Sequence, residues 1–215
     1  MGLSEFKKFL ALLVAWVLIS PACGQKKPEP PTTKPTEEKP ITHRSVLMVI
    51  APRDFRDEEF KIPFEYLKNL GHKVTVASTD TIKAIGMLDL EVKPDLKLEA
   101  VDTLAYDAMI LVGGTGSVIY WDNKTVHQLA KYFAQPPKLL AAICLAPVTL
   151  ARAGVLKDKE ATVYKDRETL AELKKGGAQY REKDVVVCGN IITASGPQAA
   201  EKFAQAIGQA LQGKE

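Results

Sequence analysis

Cysteine and histidine are both scarce in this chain, at three residues each in 215. The few present are not arranged as ligands. Cys144 and Cys188 lack paired-ligand spacing and no histidine cluster accompanies them, so no metal is expected. Neither a dinucleotide fingerprint nor a Gly-Lys-Ser/Thr phosphate loop occurs, and no cofactor is assigned. Charge of one sign is also missing: 29 Lys and Arg stand against 26 Asp and Glu, a net of +3. The basic residues are dispersed among acidic ones, without a patch of interleaved aromatics, so a nucleic-acid partner is not expected. There is no internal repeat and no sign of a second domain. What remains is a chain that is 46% hydrophobic and long enough to bury a sizeable core.

The first residues stand apart. Lys7-Lys8 precede the apolar run Phe9-Leu10-Ala11-Leu12-Leu13-Val14-Ala15-Trp16-Val17-Leu18-Ile19, which ends at Ser20-Pro21-Ala22. That run is shorter than the ~20 residues of a membrane-crossing helix. A basic start, an apolar middle and small residues before a cut site mark residues 1–22 as an export signal. Ser20 and Ala22 suit ordinary signal peptidase. Cys23, directly after Ala22, also resembles a bacterial lipobox, although Ser20 stands where Leu is more common. The expectation is an extracytoplasmic protein. It is held on the membrane by lipid at Cys23, or released in soluble form by simple cleavage. Residues 23–42, with the run KKPEPPTTKPTEEKPIT, are rich in Pro, Lys, Glu and Thr and lack an apolar period. Such a stretch buries too little to offset its ordering entropy and reads as an extended tether.

From residue 43 onward, strand and helix patterns alternate. Val46-Leu47-Met48-Val49-Ile50, Val74-Thr75-Val76-Ala77, Met109-Ile110-Leu111-Val112 and Leu139 to Ile143 are short apolar runs, as in strands covered on both faces. Phe60, Phe64 and Leu67 share a helical face, with Gly71 as a stop. Asp122 or Asn123 caps a helix carrying Val126, Leu129, Ala130 and Phe133. A further helix is expected over Leu145 to Ala153, ending at Gly154. Val185 to Val187 and Ile191 to Thr193 read as a hairpin whose turn holds Cys188, and Pro197 opens a last helix bearing Phe203, Ile207 and Leu211. The alternation predicts an α/β fold, a mainly parallel sheet with helices on both faces.

In such sheets sites form beyond the carboxyl ends of strands. Three features fall there: Asp54 to Glu59, Gly113-Gly114, and Cys144. Each has an ordinary reading, as a solvated helix start, a turn and a core residue. Against the last, a cysteine at a strand-to-helix turn lies near unpaired N–H groups and a helix dipole, which favour the thiolate.

Four ordered segments supply more context. They are DFRDEEFKIPFEYLKNLGHKVTVAS at 54–78, YDAMILVGGTG at 106–116, AAICLAPVTLARAGVLKDKEATVY around Cys144, and ITASGP at 192–197. Together they resemble the ThiJ/PfpI, or DJ-1/PfpI, family, over essentially all of the chain from Ser45. The resemblance implies a flavodoxin-like three-layer sandwich with the cysteine on a strained elbow. It implies that Cys144 is the nucleophile and that Glu59, protonated, hydrogen-bonds its sulfur; Glu58 is the alternative if the alignment slips by one. Pro63 supports the placement, because it cannot donate to the carbonyl of residue 59. The Gly114 and Leu145 N–H groups would be oxyanion donors.

One departure matters most. Peptidase-like members carry a histidine immediately after the cysteine, and here it is Leu145. Tyr164 stands in the region where other members place a histidine near the sulfur. His43 in the tether, His72 at a strand start and His127 on an outer helix face are not placed to serve Cys144. The resemblance then implies glyoxalase- or deglycase-like action on a small-molecule electrophile or glycated adduct. Thiol redox sensing at Cys144 is the alternative, and peptidase or amidase activity ranks last. Two questions stay open in the sequence. One is whether Cys144 pairs with Cys188; the other is whether the chain forms the dimers or larger oligomers common in the family.

Overall fold

The computed structural model describes residues 43–213. The export signal, Cys23 and the tether up to residue 42 lie outside the described residues. His43, read as part of the tether, caps the folded body: its Nδ1 lies 2.8 Å from the Gly71 carbonyl.

The strands are β1 (Ser45–Val49), β2 (Arg53–Phe55), β3 (Lys73–Ser78), β4 (Ala84–Gly86), β5 (Glu91–Val92), β6 (Leu96–Lys97), β7 (Ala108–Leu111), β8 (Leu139–Ile143), β9 (Glu160–Ala161), β10 (Gln179–Tyr180), β11 (Val185–Cys188) and β12 (Ile191–Ala194). The α-helices are α1 (Asp57–Asn69), α2 (Lys124–Phe133), α3 (Pro147–Arg152), α4 (Arg167–Lys175) and α5 (Ala200–Gln212). Seven strands form the central sheet in the order β11-β12-β8-β7-β1-β3-β6. All its pairings are parallel except β11 with β12. Helices α1 and α5 pack together, as do α2 with α3 and α3 with α4, and these two groups flank the sheet. This is the three-layer α/β arrangement expected. Covering on both faces explains why β7 and β8 have every residue buried.

Smaller elements had no legible period in the sequence: the β2-β4-β5 sheet, the β9-β10 pair and α4. Two helix starts also shift. The chain after β8 turns through Cys144 to Ala146 before α3 begins at Pro147, and Pro197–Ala199 form a 3-10 turn ahead of α5. Of the two candidate caps for α2, Asn123 is the one used, its side chain accepting from the Val126 N–H.

Cys188 closes β11 rather than occupying the turn, opposite Ile191, which in turn lies opposite Leu140. It therefore lies level with the start of β8, two strands away, and Cys144 follows the end of β8. That is a separation of roughly 13 Å along the strand direction, at about 3.3 Å per residue. A disulfide needs Cα atoms within about 7 Å. Both thiols are free, and this fold keeps them apart.

Candidate active site

The parallel register brings Val49, Leu111 and Ala142 side by side, so β1, β7 and β8 release their chains at one edge. There the three segments singled out in the sequence meet. A Cβ on Gly113 would lie 2.5 Å from the Cys144 Cβ and 2.5 Å from Glu59 Oε2, so only glycine fits between them. Gly114, at φ +94°, is equally confined: its Cβ would come within 2.4 Å of the Arg56 nitrogen.

Cys144 itself has φ +63°. A non-glycine residue there costs on the order of 1–3 kcal/mol and persists only where its surroundings hold it. Here they do. Its N–H donates to the Ala194 carbonyl at 2.9 Å, its carbonyl accepts from the Tyr164 N–H at 2.9 Å, and Ala146 N–H closes the turn on Ile143 at 3.1 Å. Trp121, buried, donates its indole N–H to the Leu145 carbonyl at 3.2 Å. The outer face of that ring carries the Arg152 guanidinium at 4.9 Å, itself paired with Glu172 and Asp122.

Glu58 and Glu59 part company. Glu58 pairs with Arg56 through both carboxylate oxygens, at 2.7 and 2.9 Å, and this hydrogen bonding draws its pKa down. Glu59 is fully buried and faces the Cys144 sulfur. Burial pushes its pKa up to about 8, against the smaller opposing effects of Cys144, the Arg56 charge and the Gly113 N–H. Neither carboxyl oxygen finds a partner of good hydrogen-bond geometry, a further reason to stay protonated. Glu59, not Glu58, is the carboxyl beside the thiol.

The thiol moves the same way. Burial first, then the neighbouring Glu59 charge, push Cys144 up to about 12, while the N–H groups of Gly114 and Leu145 pull it down. The thiolate expected at a helix N-terminus is thus not the resting state. Helix α3 has only six residues, and desolvation of the buried Cys144 side chain outweighs its dipole. The two groups titrate as a pair, because two anions in contact within the protein repel strongly. At neutral pH the pair is uncharged, and above about pH 8 it carries one negative charge.

A cavity of about 340 Å³ opens over the sulfur, with Arg56, Met87, Thr115, Tyr164 and Gln198 in its wall. Met87 belongs to the β4–β5 loop, which Asp57 ties down by accepting from Leu88 N–H at 2.9 Å and Leu90 N–H at 2.8 Å. Of these residues the sequence singles out Tyr164; Arg56 and Asp57 fall inside the candidate segment Asp54 to Glu59 without a role of their own, and nothing in the sequence marks Trp121. All three histidines are engaged elsewhere. His43 contacts Gly71, His72 accepts from the Arg44 N–H, and His127 contacts the Trp121 carbonyl. Among the described residues no group of three or more His, Cys, Asp or Glu is arranged to hold a metal ion.

Known proteins share this arrangement of elements. The model of the DJ-1/PfpI family matches residues 44–210. An uncharacterised protein of Methanocaldococcus jannaschii is 40% identical over 207 residues, which is 96% of this chain and 98% of that one. A deglycase of Thermococcus kodakarensis is 32% identical over 70% of this chain and 90% of its own. The crystal structure of a ThiJ/PfpI domain protein from Brachyspira murdochii superposes with a TM-score of 0.75 at 32% identity, over 79% of this chain and 96% of that one.

Proposed function

The chain belongs to the DJ-1/PfpI family, and from that premise we propose that it is a cysteine-dependent enzyme acting on small reactive carbonyl compounds or their adducts. The observation that carries this reading is the contact of a buried, proton-holding Glu59 with Cys144 across Gly113, beneath an open cavity. The similarity to a deglycase supports it.

The working form is the pair with one proton removed. The sulfur attacks the carbonyl carbon and a C–S bond forms. The carbon–oxygen π electrons pass to oxygen, which takes the remaining proton by way of Glu59. The product is a hemithioacetal, with no atom lost. With a 2-oxoaldehyde, Glu59 then moves a proton from the former aldehyde carbon to the neighbouring carbon, while the hydroxyl proton of the hemithioacetal passes to the neighbouring carbonyl oxygen, giving a 2-hydroxy thioester. Water cleaves that thioester to the 2-hydroxy acid and restores the thiol. Through the addition, the Gly114 and Leu145 N–H groups stabilise charge at the sulfur and the adjoining oxygen.

Cys144→Ser tests this directly, provided the variant keeps its melting temperature. Lactate formation from methylglyoxal should disappear; unchanged formation overturns the assignment. A second reading, thiol sensing, is favoured by a protonated carboxyl and two N–H groups aimed at one sulfur, which suit a sulfinate formed by two equivalents of peroxide. Stoichiometric oxidation at Cys144 with no turnover of any carbonyl would select it. A peptidase or amidase remains the least favoured reading, since Leu145 replaces the histidine.

The leader supports a place outside the cytoplasm, with lipid on Cys23 as the anchor. The mass of the N-terminal peptide from the native protein decides. A diacylated Cys23 is expected, an unmodified terminus at residue 23 indicates simple cleavage, and an unprocessed N-terminal segment overturns cleavage after Ala22.

A further inference from the structure

The wall of the cavity over Cys144 contains one side chain with a permanent charge, Arg56. No carboxylate lines the cavity, and the Cys144–Glu59 pair beside it is uncharged at neutral pH. The guanidinium is placed by rigid backbone rather than by a loose loop. Arg56 N–H donates to the Gly113 carbonyl at 3.1 Å, and Gly114 closes against the same nitrogen with no space for a Cβ. Arg56 is therefore fastened to the loop that delivers the Gly114 N–H to the sulfur. Its fork is also oriented: Nε and Nη2 are held by the Glu58 carboxylate, which leaves Nη1 without a hydrogen bond among the described residues.

We propose that Arg56 makes this a site for carbonyl compounds that carry a carboxylate, with Nη1 binding the carboxylate while Cys144 adds to the carbonyl. A planar guanidinium with both Nη1 donors spare suits a carboxylate better than a point charge does. The cavity limits the partner to a small molecule: about 340 Å³ holds on the order of ten water-sized groups at roughly 30 Å³ each. Glu58 has a double part. It aims the fork, and it also offsets part of the positive charge, so the selectivity for acids is held below what a lone arginine would give. This inference rests on the reading of Cys144 as the group that adds to carbonyls.

The test uses reversible protection of the thiol, so it needs no turnover. Cys144 is alkylated with iodoacetamide, a neutral reagent, in the presence of increasing glyoxylate or methylglyoxal. The ratio of the two half-protecting concentrations is the measurement. Wild type should be protected by less glyoxylate than methylglyoxal. Arg56→Gln should lower that preference about tenfold, Arg56→Lys should lower it by less, and Glu58→Gln should raise it. Equal preference in wild type, or a ratio that none of the variants moves, overturns the role of Arg56 while leaving the carbonyl reading intact. Failure of both compounds to protect Cys144 in wild type overturns both. The opposite sign expected for Glu58→Gln keeps the test decisive if Arg56→Gln folds poorly.

Discussion

Helices α4 and α1 begin in opposite ways. The first turn of α4 is closed by its own residues: the Asp166 carboxylate accepts from the Thr169 N–H at 2.8 Å, and Thr169 Oγ1 accepts from the Asp166 N–H at 3.3 Å. The first turn of α1 has Arg56 at the cap position and no side-chain cap. Three acids follow, and each is turned to something other than the helix. Asp57 holds the β4–β5 loop, Glu58 holds Arg56, and Glu59 meets the sulfur. One helix start serves its own stability; the other gives up a capping hydrogen bond and assembles a site. The acids still gain from the positive end of the α1 dipole, which lessens the loss.

The sharpest way to break this contrast is Glu59→Gln. Loss of the proton-transferring group should lower carbonyl turnover on the order of 100-fold and remove the rise in activity expected as pH passes about 8. Stability should move the other way. A carboxyl whose pKa is higher folded than unfolded keeps its proton in the native state between the ordinary value of 4.5 and about 8, so wild type loses stability as pH rises across that window. The amide has no such dependence. Thermal melts at pH 5 and pH 9 should show the variant gaining on wild type at the higher pH, and an equal difference at both values would contradict the assignment.

Asp57→Ala should rank next, costing about 2 kcal/mol in urea unfolding, because two backbone donors lose their acceptor and only partly regain water. By loosening the loop that carries Met87 it should also raise KM more than it lowers kcat. The smallest effect belongs to the conventional cap. Asp166→Ala should cost about 1 kcal/mol and leave the rate of Cys144 alkylation where it was. A change in that rate would mean that the bond from the Thr169 hydroxyl to the Tyr164 carbonyl carries the start of α4 into the cavity wall.

The same contrast shows what could be read before the fold was known. The strands β1, β7 and β8 are continuous apolar runs, because both of their faces are covered, and such runs are visible in any sequence. Cys144 and the glycine pair followed from standing at strand ends. The choice between Glu58 and Glu59 did not, because consecutive helix residues differ only in the direction they face, and three acids in a row carry no local sign of which one turns inward. Family pattern supplied that choice; in the structure Glu59 is the one of the two that is fully buried. Arg56, though inside the candidate segment, has no role legible in the sequence for a related reason, since an arginine ahead of three acids looks like part of a solvated face. Asp57 with Leu88 and Trp121 with Leu145 are joined across 31 and 24 residues, beyond the reach of any periodicity. The β2, β4 and β5 strands, of two or three residues each, are too short to have one.

The indole beneath Arg152 has an optical consequence. The chain contains two tryptophans, and the other, Trp16, lies in the apolar run proposed as an export signal. A protein that starts at residue 23 therefore has Trp121 as its single tryptophan fluorophore. Its N–H is bonded to the residue that follows Cys144, and a cation stacks on its ring. Any adduct or oxidation that displaces the turn alters both influences on the excited state, so the wavelength and yield of emission follow the condition of the sulfur without an added label.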